Sequence, residues 1–331
     1  MGNPPPPHSS DPQAPFRAIF LGTPALAAHV LERLIGDGAG LVRIIAVVTR
    51  PDQPRGRGLK YEPSEVAAVA DHFQLPLLKP TRIRTAEFPA QLRAFAPDLL
   101  IVVAYGRILP AEVLQAARLM PINLHASLLP RHRGASPIEA AILAGDATTG
   151  VTVMRMTERM DAGPILLQRE LDLAPDETQR TLKDRLADLG ARAMLEALDL
   201  LRCGRLTERP QDESRATYVK PIKKEDARID WRADAASIER MVRAYDPWPV
   251  ARTSIDGTDL MLWKAQLSDA TNPPAPACPP GTITALRPML TVQCGIGTLA
   301  LLEVQLGGRR RISGADFARG RRLAPGSRLG T

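Results

Sequence analysis

Leu99-Leu-Ile-Val-Val-Ala104 is apolar at every position and is the clearest buried strand in the chain. A strand with one face in water alternates polar and apolar residues. An uninterrupted apolar run belongs to a strand covered on both faces, as in a parallel sheet between helices. Upstream, Arg17-Ala-Ile-Phe-Leu21 is a short apolar run that stops at the turn Gly22-Thr23-Pro24. The amphipathic stretch 25–35 follows and ends in Gly36-Asp37-Gly38, and residues 41–49 form a second continuous apolar run. Residues 64–73 read as a helix that starts at Pro63-Ser64. Downstream, Ile122-Asn-Leu-His125, 151–156 and 165–171 read as strands, with helices over about 136–143 and 178–201. Strands alternating with helices predict a Rossmann-like, doubly wound parallel sheet.

The pattern changes after residue 206. Residues 208–216 are polar and contain Pro210, so 207–220 reads as a linker. Beyond it, helical signal is confined to 235–243. Short alternating runs at 251–255, 259–263, 281–284, 290–293 and 299–304 predict a small OB-like β-barrel over 221–331. The first domain then spans 16–206, after a proline-rich tail at 1–15 that lacks the basic start and apolar segment of a secretory signal. No apolar run approaches the roughly 18 residues of a membrane helix, so no membrane partner is expected. Cys203, Cys278 and Cys294 lie far apart with no paired spacing, which suits a reducing, cytoplasmic location. Residues 205–331 carry 20 Lys+Arg against 14 Asp+Glu, nearly all of the net +7. Such a basic half fits either a polyanionic partner or a plain soluble surface.

The first turn lacks the Gly-x-Gly-x-x-Gly pattern, and no phosphate-binding Gly-x-x-x-x-Gly-Lys-Ser/Thr occurs, so a dinucleotide site is unsupported. Ligands of open α/β sheets bind beyond the carboxyl ends of the strands. Asn123 and His125 are two apart at such an end and therefore share a face. An amide and an imidazole aimed into one crevice suit an oxyanion, although each taken singly also reads as a cap or a core histidine. Asp161, in Arg159-Met-Asp-Ala-Gly163, is either a turn aspartate or a carboxylate that orients His125. One imidazole, one amide and one carboxylate make a poor transition-metal set, so no metal is expected. Gly-x-Ser-x-Gly is absent, and Ser127 reads as a ligand contact rather than a nucleophile. Arg50, Arg55, Arg57 and Lys60 lie on a Gly- and Pro-rich stretch that reads as a flexible surface loop, either solvated or clamping phosphates. Arg131 and Arg133 add cations near the same strand ends.

Ile122-Asn-Leu-His-Ala-Ser-Leu-Leu-Pro-Arg-His-Arg-Gly134 resembles the signature of the folate-dependent formyltransferases. Asp161 in Met160-Asp-Ala-Gly163 and Val102-Val-Ala-Tyr-Gly106 are similar to two further motifs of that family. Phe20-Leu-Gly-Thr-Pro24, Arg50-Pro-Asp52, Gly56-Arg-Gly58, Ala227-Arg-Ile-Asp-Trp231 and Arg243-Ala-Tyr-Asp-Pro-Trp-Pro249 resemble the branch that formylates methionyl initiator tRNA. The resemblance runs from Arg17 to about Gly326. It implies 10-formyltetrahydrofolate as co-substrate and methionyl initiator tRNA as partner; the chain is expected to be a monomer. It implies Asn123, His125 and Asp161 as the catalytic set, and Ser127, Leu128, Leu129 and Pro130 as folate contacts. Arg57, with Arg50 and Lys60, would meet the acceptor end of the tRNA. Ala126 departs from the family, many of whose members carry Gly there. A formyltransferase acting on a small amine, such as an amino sugar nucleotide, and a non-catalytic RNA-binding protein are the rival readings.

Overall fold

The apolar runs become strands of one seven-stranded sheet in the computed structural model, which describes residues 14–55, 60–268 and 278–330. In chain order the first elements are β1 (Phe16–Gly22), α1 (Ala25–Gly36), β2 (Val42–Val48), β3 (Gln53–Arg55), β4 (Lys60–Glu62), α2 (Glu65–His72), β5 (Leu77–Leu78) and α3 (Glu87–Ala94). There follow β6 (Leu99–Val103), α4 (Ala111–Leu114), β7 (Met120–His125), β8 (Arg133–Gly134), α5 (Pro137–Ala144), β9 (Thr148–Arg155), β10 (Ile165–Asp172) and α6 (Gln179–Arg202). The sheet order is β10-β9-β7-β6-β1-β2-β5. From β7 to β5 neighbouring strands run parallel, while β9 is antiparallel to both β7 and β10. The expected doubly wound sheet is therefore extended at one side by an antiparallel pair, joined through the turn that carries Asp161.

Every residue of β6 is buried, as its unbroken apolar run requires. In α1, Ala27, Val30, Leu31 and Leu34 recur at helical spacing and are fully buried. Ser64 caps α2 by accepting from the Ala67 amide at 3.1 Å. The stretch after Arg50 is more ordered at its base than composition suggests. β3 and β4 pair antiparallel there, and Asp52 accepts from Lys79 Nζ at 2.6 Å. Arg57 lies outside the described residues.

The remaining elements are β11 (Tyr218–Val219), α7 (Ala235–Ala244), β12 (Arg252–Ile255), β13 (Thr258–Leu267), β14 (Ile283–Ala285), β15 (Leu290–Gln293), β16 (Thr298–Leu306), β17 (Arg311–Ser313) and α8 (Gly314–Gly320). β12-β13-β16-β15-β14, with β17 on β16, form a curled antiparallel half-barrel. Ile238 and Val242 of α7 join Leu260, Leu262, Leu299 and Leu301 in its core. Trp231 is buried there, and its Nε1 donates to Thr253 Oγ1 at 2.9 Å. α8 corrects the expectation that helix beyond residue 220 is confined to 235–243. It is capped by Ser313, whose Oγ accepts from the Asp316 amide at 3.0 Å, but it is too short for a periodic signal.

The chain divides into two units that are not contiguous in sequence. One holds the described residues up to Pro137 with Thr148–Asp172 and Lys183–Val219; the other holds Ile138–Ala147, Leu173–Leu182 and the described residues from Lys220 on. Among the described residues no helix is long and apolar enough to cross a membrane.

Candidate active site

The chain leaves β1 for β2 on one side and later returns to β6 on the other. A crevice is expected at the carboxyl ends where the order reverses. Thr23 Oγ1, just past β1, donates to the Tyr105 carbonyl, just past β6, at 3.2 Å. β7 lies next to β6, with Asn123 opposite Val102, and on its other side His125 stands opposite Thr152 of β9. Asn123 and His125 thus share a face at the strand end, and both are buried, at 8% and 6% exposure.

His125 has Nε2 2.9 Å from the His132 carbonyl. A carbonyl only accepts, so Nε2 carries the proton in this contact. Nδ1 points the other way and stands 3.8 Å from Asp161 Oδ2. That separation is longer than a hydrogen bond. The same Oδ2 accepts from the Gly134 amide at 2.8 Å. Gly134 has φ +120°, and a Cβ there would stand 2.1 Å from the Val219 carbonyl, so only glycine fits. Asp161 itself has φ +49°, a left-handed conformation that Asp and Asn tolerate best among residues with a side chain. Asn123, His125 and Asp161, 38 positions apart at the extremes, are therefore gathered at one strand end.

The loop after His125 is held from within. Ser127 Oγ donates to the Arg131 carbonyl at 2.7 Å, so the hydroxyl closes the loop. Thr152 Oγ1 donates to the Ser127 carbonyl at 2.7 Å and accepts from the Leu129 amide at 3.1 Å. Gln168 Nε2 donates to the Leu129 carbonyl at 2.9 Å. The Leu129 side chain packs with Met154 and Ile165. Leu128 and Pro130 are half-buried and remain the more open members of the predicted folate contacts.

Arg50 starts further along the sheet but turns its guanidinium toward Gly106, just past β6, where a Cβ would stand 3.6 Å from Nη1. It is exposed and lines a cleft with Thr23, Pro51, Gln53, Glu62 and Ser64. It follows β2, three strand positions from β7, or about 14 Å at the usual strand spacing. The side chain of Lys60, like Arg57, lies outside the description.

Arg133 corrects a reading made from charge. It is fully buried and is not one of the cations open to a phosphate. Its guanidinium donates to Glu213 at 2.8 and 3.1 Å, to Gln211 Oε1 at 2.8 and 3.1 Å, and to Tyr218 Oη at 3.0 Å. The Arg133 guanidinium, with smaller help from Arg159, lowers the Glu213 carboxyl to about 2. The pair therefore stays ionised at any ordinary working pH. Gln211, Glu213, Tyr218, Thr152 and Gln168 carry no local pattern that marks them as neighbours of the site. Their partners lie 16 to 85 residues away.

The arrangement suits acyl transfer to an amine, because an amide and an imidazole can receive developing negative charge beside a carboxylate that can accept a proton. Among the described residues no group of three or more His, Cys, Asp or Glu is arranged to hold a metal ion.

Comparison with known proteins matches both halves of the chain. A family model described as "Formyl transferase" matches residues 16–198, and one described as "Formyl transferase, C-terminal domain" matches residues 221–322. A protein of Methylococcus capsulatus named methionyl-tRNA formyltransferase is 49% identical over 96% of this chain and 100% of its own length. A Geobacter metallireducens protein of the same name is 44% identical over 94% of this chain and 98% of its own. Among solved structures, an N-formyltransferase from Helicobacter canadensis in complex with folinic acid and dTDP-3-aminofucose has a TM-score of 0.62. It is 15% identical, covering 87% of this chain and 98% of that one, and so carries the fold alone. The same holds for HypX from Aquifex aeolicus in complex with tetrahydrofolic acid, at TM-score 0.61 and 20% identity over 92% of this chain and 47% of that one. With both halves matched in order and relatives of one name aligned almost end to end, the chain belongs to the formyl transferase family, among the methionyl-tRNA formyltransferases.

Proposed function

We propose that the chain transfers the formyl group of 10-formyltetrahydrofolate to the free amino group of methionyl initiator tRNA, for translation initiation, as a cytoplasmic monomer. The observation that carries the chemistry is the gathering of Asn123, His125 and Asp161 at one strand end, with Nδ1 and Oδ2 3.8 Å apart. The acceptor follows from relatives at 42–49% identity that align almost end to end and bear the tRNA-specific name. A small-amine acceptor is not favoured, because sugar N-formyltransferases of this fold are 14–20% identical, against 42–49% for proteins named methionyl-tRNA formyltransferase. The intact Asn123, His125 and Asp161 weigh against a purely RNA-binding role.

10-Formyltetrahydrofolate, when bound, supplies an activated formyl carbon attached to a folate nitrogen, and this donor set of amide and imidazole N–H groups fits the formyl oxygen. A C–N bond to the amine forms and the bond to the folate nitrogen breaks; one proton leaves the amine and one reaches the folate nitrogen. Asn123 donates from its amide to the formyl oxygen as negative charge develops there. With Nε2–H held by the His132 carbonyl, the Nδ1 edge of protonated His125 is the part that serves substrate and Asp161. With Nδ1–H given to the formyl oxygen, an amine N–H directed at Oδ2 lets Asp161 take the amine's proton as the bond forms, while the nitrogen lone pair stays free to attack the formyl carbon.

The tRNA is held by charge. Arg309, Arg310, Arg321 and Arg322 are exposed in the C-terminal half, and Arg311 lies over the Trp263 ring at 3.1 Å. Each unit brings cations of its own to the phosphate backbone: these in the second, and in the first Arg50, with Arg57 and Lys60 by the sequence resemblance. Arg57→Ala is expected to raise KM for tRNA about tenfold while leaving KM for the folate within twofold. It should also reduce the slope of log binding against log salt by about 1. Equal losses toward both substrates would remove the tRNA role from Arg57.

The deciding experiment compares formyl transfer to methionyl initiator tRNA and to methionyl elongator tRNA. Rapid transfer to the initiator alone supports the proposal in full. No transfer to either, with the folate still bound, keeps the chemistry and overturns the acceptor.

A further inference from the structure

The Gln211 amide is saturated in a way that fixes its orientation. Its Oε1 accepts from Arg133 Nε at 3.1 Å and Nη2 at 2.8 Å. Its Nε2 donates to the Asp161 carbonyl at 2.8 Å and the Gly163 carbonyl at 2.7 Å. A flipped amide would set hydrogens against hydrogens and oxygen against two carbonyls, so the assignment follows from the partners. On one side, then, Gln211 grips the backbone of the Asp161 turn. On the other it grips Arg133, which belongs to the stretch 132–134 that touches both titratable groups of the site. The His132 carbonyl accepts from His125, and the Gly134 amide donates to Asp161.

The segment 211–218 reinforces both grips. Thr217 accepts from the Arg133 amide at 2.9 Å through its carbonyl and from the His132 amide at 2.8 Å through Oγ1. Glu213 binds Arg133 and also Arg159, at the other end of the Asp161 turn, at 3.0 Å. Asp161 has a left-handed backbone, which persists only where the surroundings over-determine it. Gln211 supplies one hydrogen bond to the Asp161 carbonyl and one to the Gly163 carbonyl two residues on.

We infer that Gln211 is a positioning residue for formyl transfer: it holds the Asp161 turn and the His132–Gly134 stretch together, and so sets the distance between Asp161 and His125. The inference rests on the functional reading of Asn123, His125 and Asp161 given above. A neutral amide is required, since it alone offers an acceptor to the guanidinium and two donors to the paired carbonyls. Displacing a reacting group by about 1 Å can lower a rate about 10²-fold without touching substrate binding.

Gln211→Glu isolates the effect. It keeps an acceptor for Arg133 and turns an oxygen toward the Asp161 and Gly163 carbonyls. Expected is a kcat about 10- to 100-fold lower, with KM for the folate and for tRNA within about threefold of wild type. A merely structural residue would lower thermal stability without this split between kcat and KM. In an Asp161→Asn background, Gln211→Glu should bring no further loss, because both changes disable one unit. A Gln211→Glu enzyme with kcat within twofold of wild type, a defect confined to KM, or losses that multiply in the double variant would each overturn the positioning role. If Gln211→Glu does not fold, Gln211→Met, which keeps the volume and removes all four bonds, is judged by the same criteria. Wild-type chain that transfers no formyl group would overturn the functional reading, and this inference with it. Active wild type beside an unaffected variant overturns the positioning role alone.

Discussion

Asn123→Ala is expected to lower kcat for formyl transfer by about 10²–10³ while KM for either substrate changes little. This is the usual cost of losing one donor to a developing oxyanion. The effect is confined to kcat because the formyl oxygen carries most charge in the transition state, so the amide binds that state better than the ground state. Asn123 lies in β7 between β6 and β9, and neither ladder uses its side chain. Truncation therefore leaves the sheet in place, and circular dichroism and the melting temperature should stay close to wild type. Asn123→Asp sharpens the comparison, since it keeps the shape and replaces the donor by an acceptor. Turnover of either variant within threefold of wild type would remove Asn123 from the chemistry.

The second large effect is expected at Asp161. Asp161→Asn should lower kcat by about 10²–10⁴, the range over which a positioned proton acceptor acts. Asparagine is the right probe because it tolerates φ +49° and can still accept from the Gly134 amide. What it removes is the charge 3.8 Å from His125 Nδ1. If the carboxylate served only to hold the turn, Asp161→Asn would retain most of its activity, since the turn-holding bonds survive. Pre-steady-state formyl transfer, with folate binding followed separately, distinguishes the two cases. Unchanged single-turnover rates would reduce Asp161 to a turn residue.

Much of the first unit is legible from the chain because its central strands are covered on both faces. Burial of both faces makes the run at 99–104 apolar throughout, and that signal survives without an alignment or a template. The site is partly legible for a related reason. Asn123 and His125 interrupt an apolar strand at its carboxyl end with period-two spacing, so their common face follows from strand geometry. The direction of β9 and β10 is not legible, because hydrophobic periodicity is the same for a strand run either way. Nor is the pairing of β3 with β4, where proline and glycine in the stretch 51–58 hide a short ladder.

The clasp around Arg133 is hidden more deeply. Read from charge, Arg133 is one more cation beside a phosphate site. Its buried state depends on Gln211, Glu213 and Tyr218, which are 78 to 85 residues away. Residues 207–219 have the polar composition of a linker, yet the same polar groups satisfy a buried guanidinium, which would otherwise be too costly to bury. Likewise, nothing local in 138–147 or 173–182 marks these segments as members of the second unit.

Composition, periodicity and turn residues suffice for the two-part architecture, the strand ends and the shared face of Asn123 and His125, because each is written in neighbours a few positions apart. The partnership of His125 with Asp161, the burial of Arg133 and the place of Gln211 arise only when the chain folds. They are contacts between segments whose local sequence is equally content in other arrangements, and only the shared requirement that buried polar groups find partners brings them together.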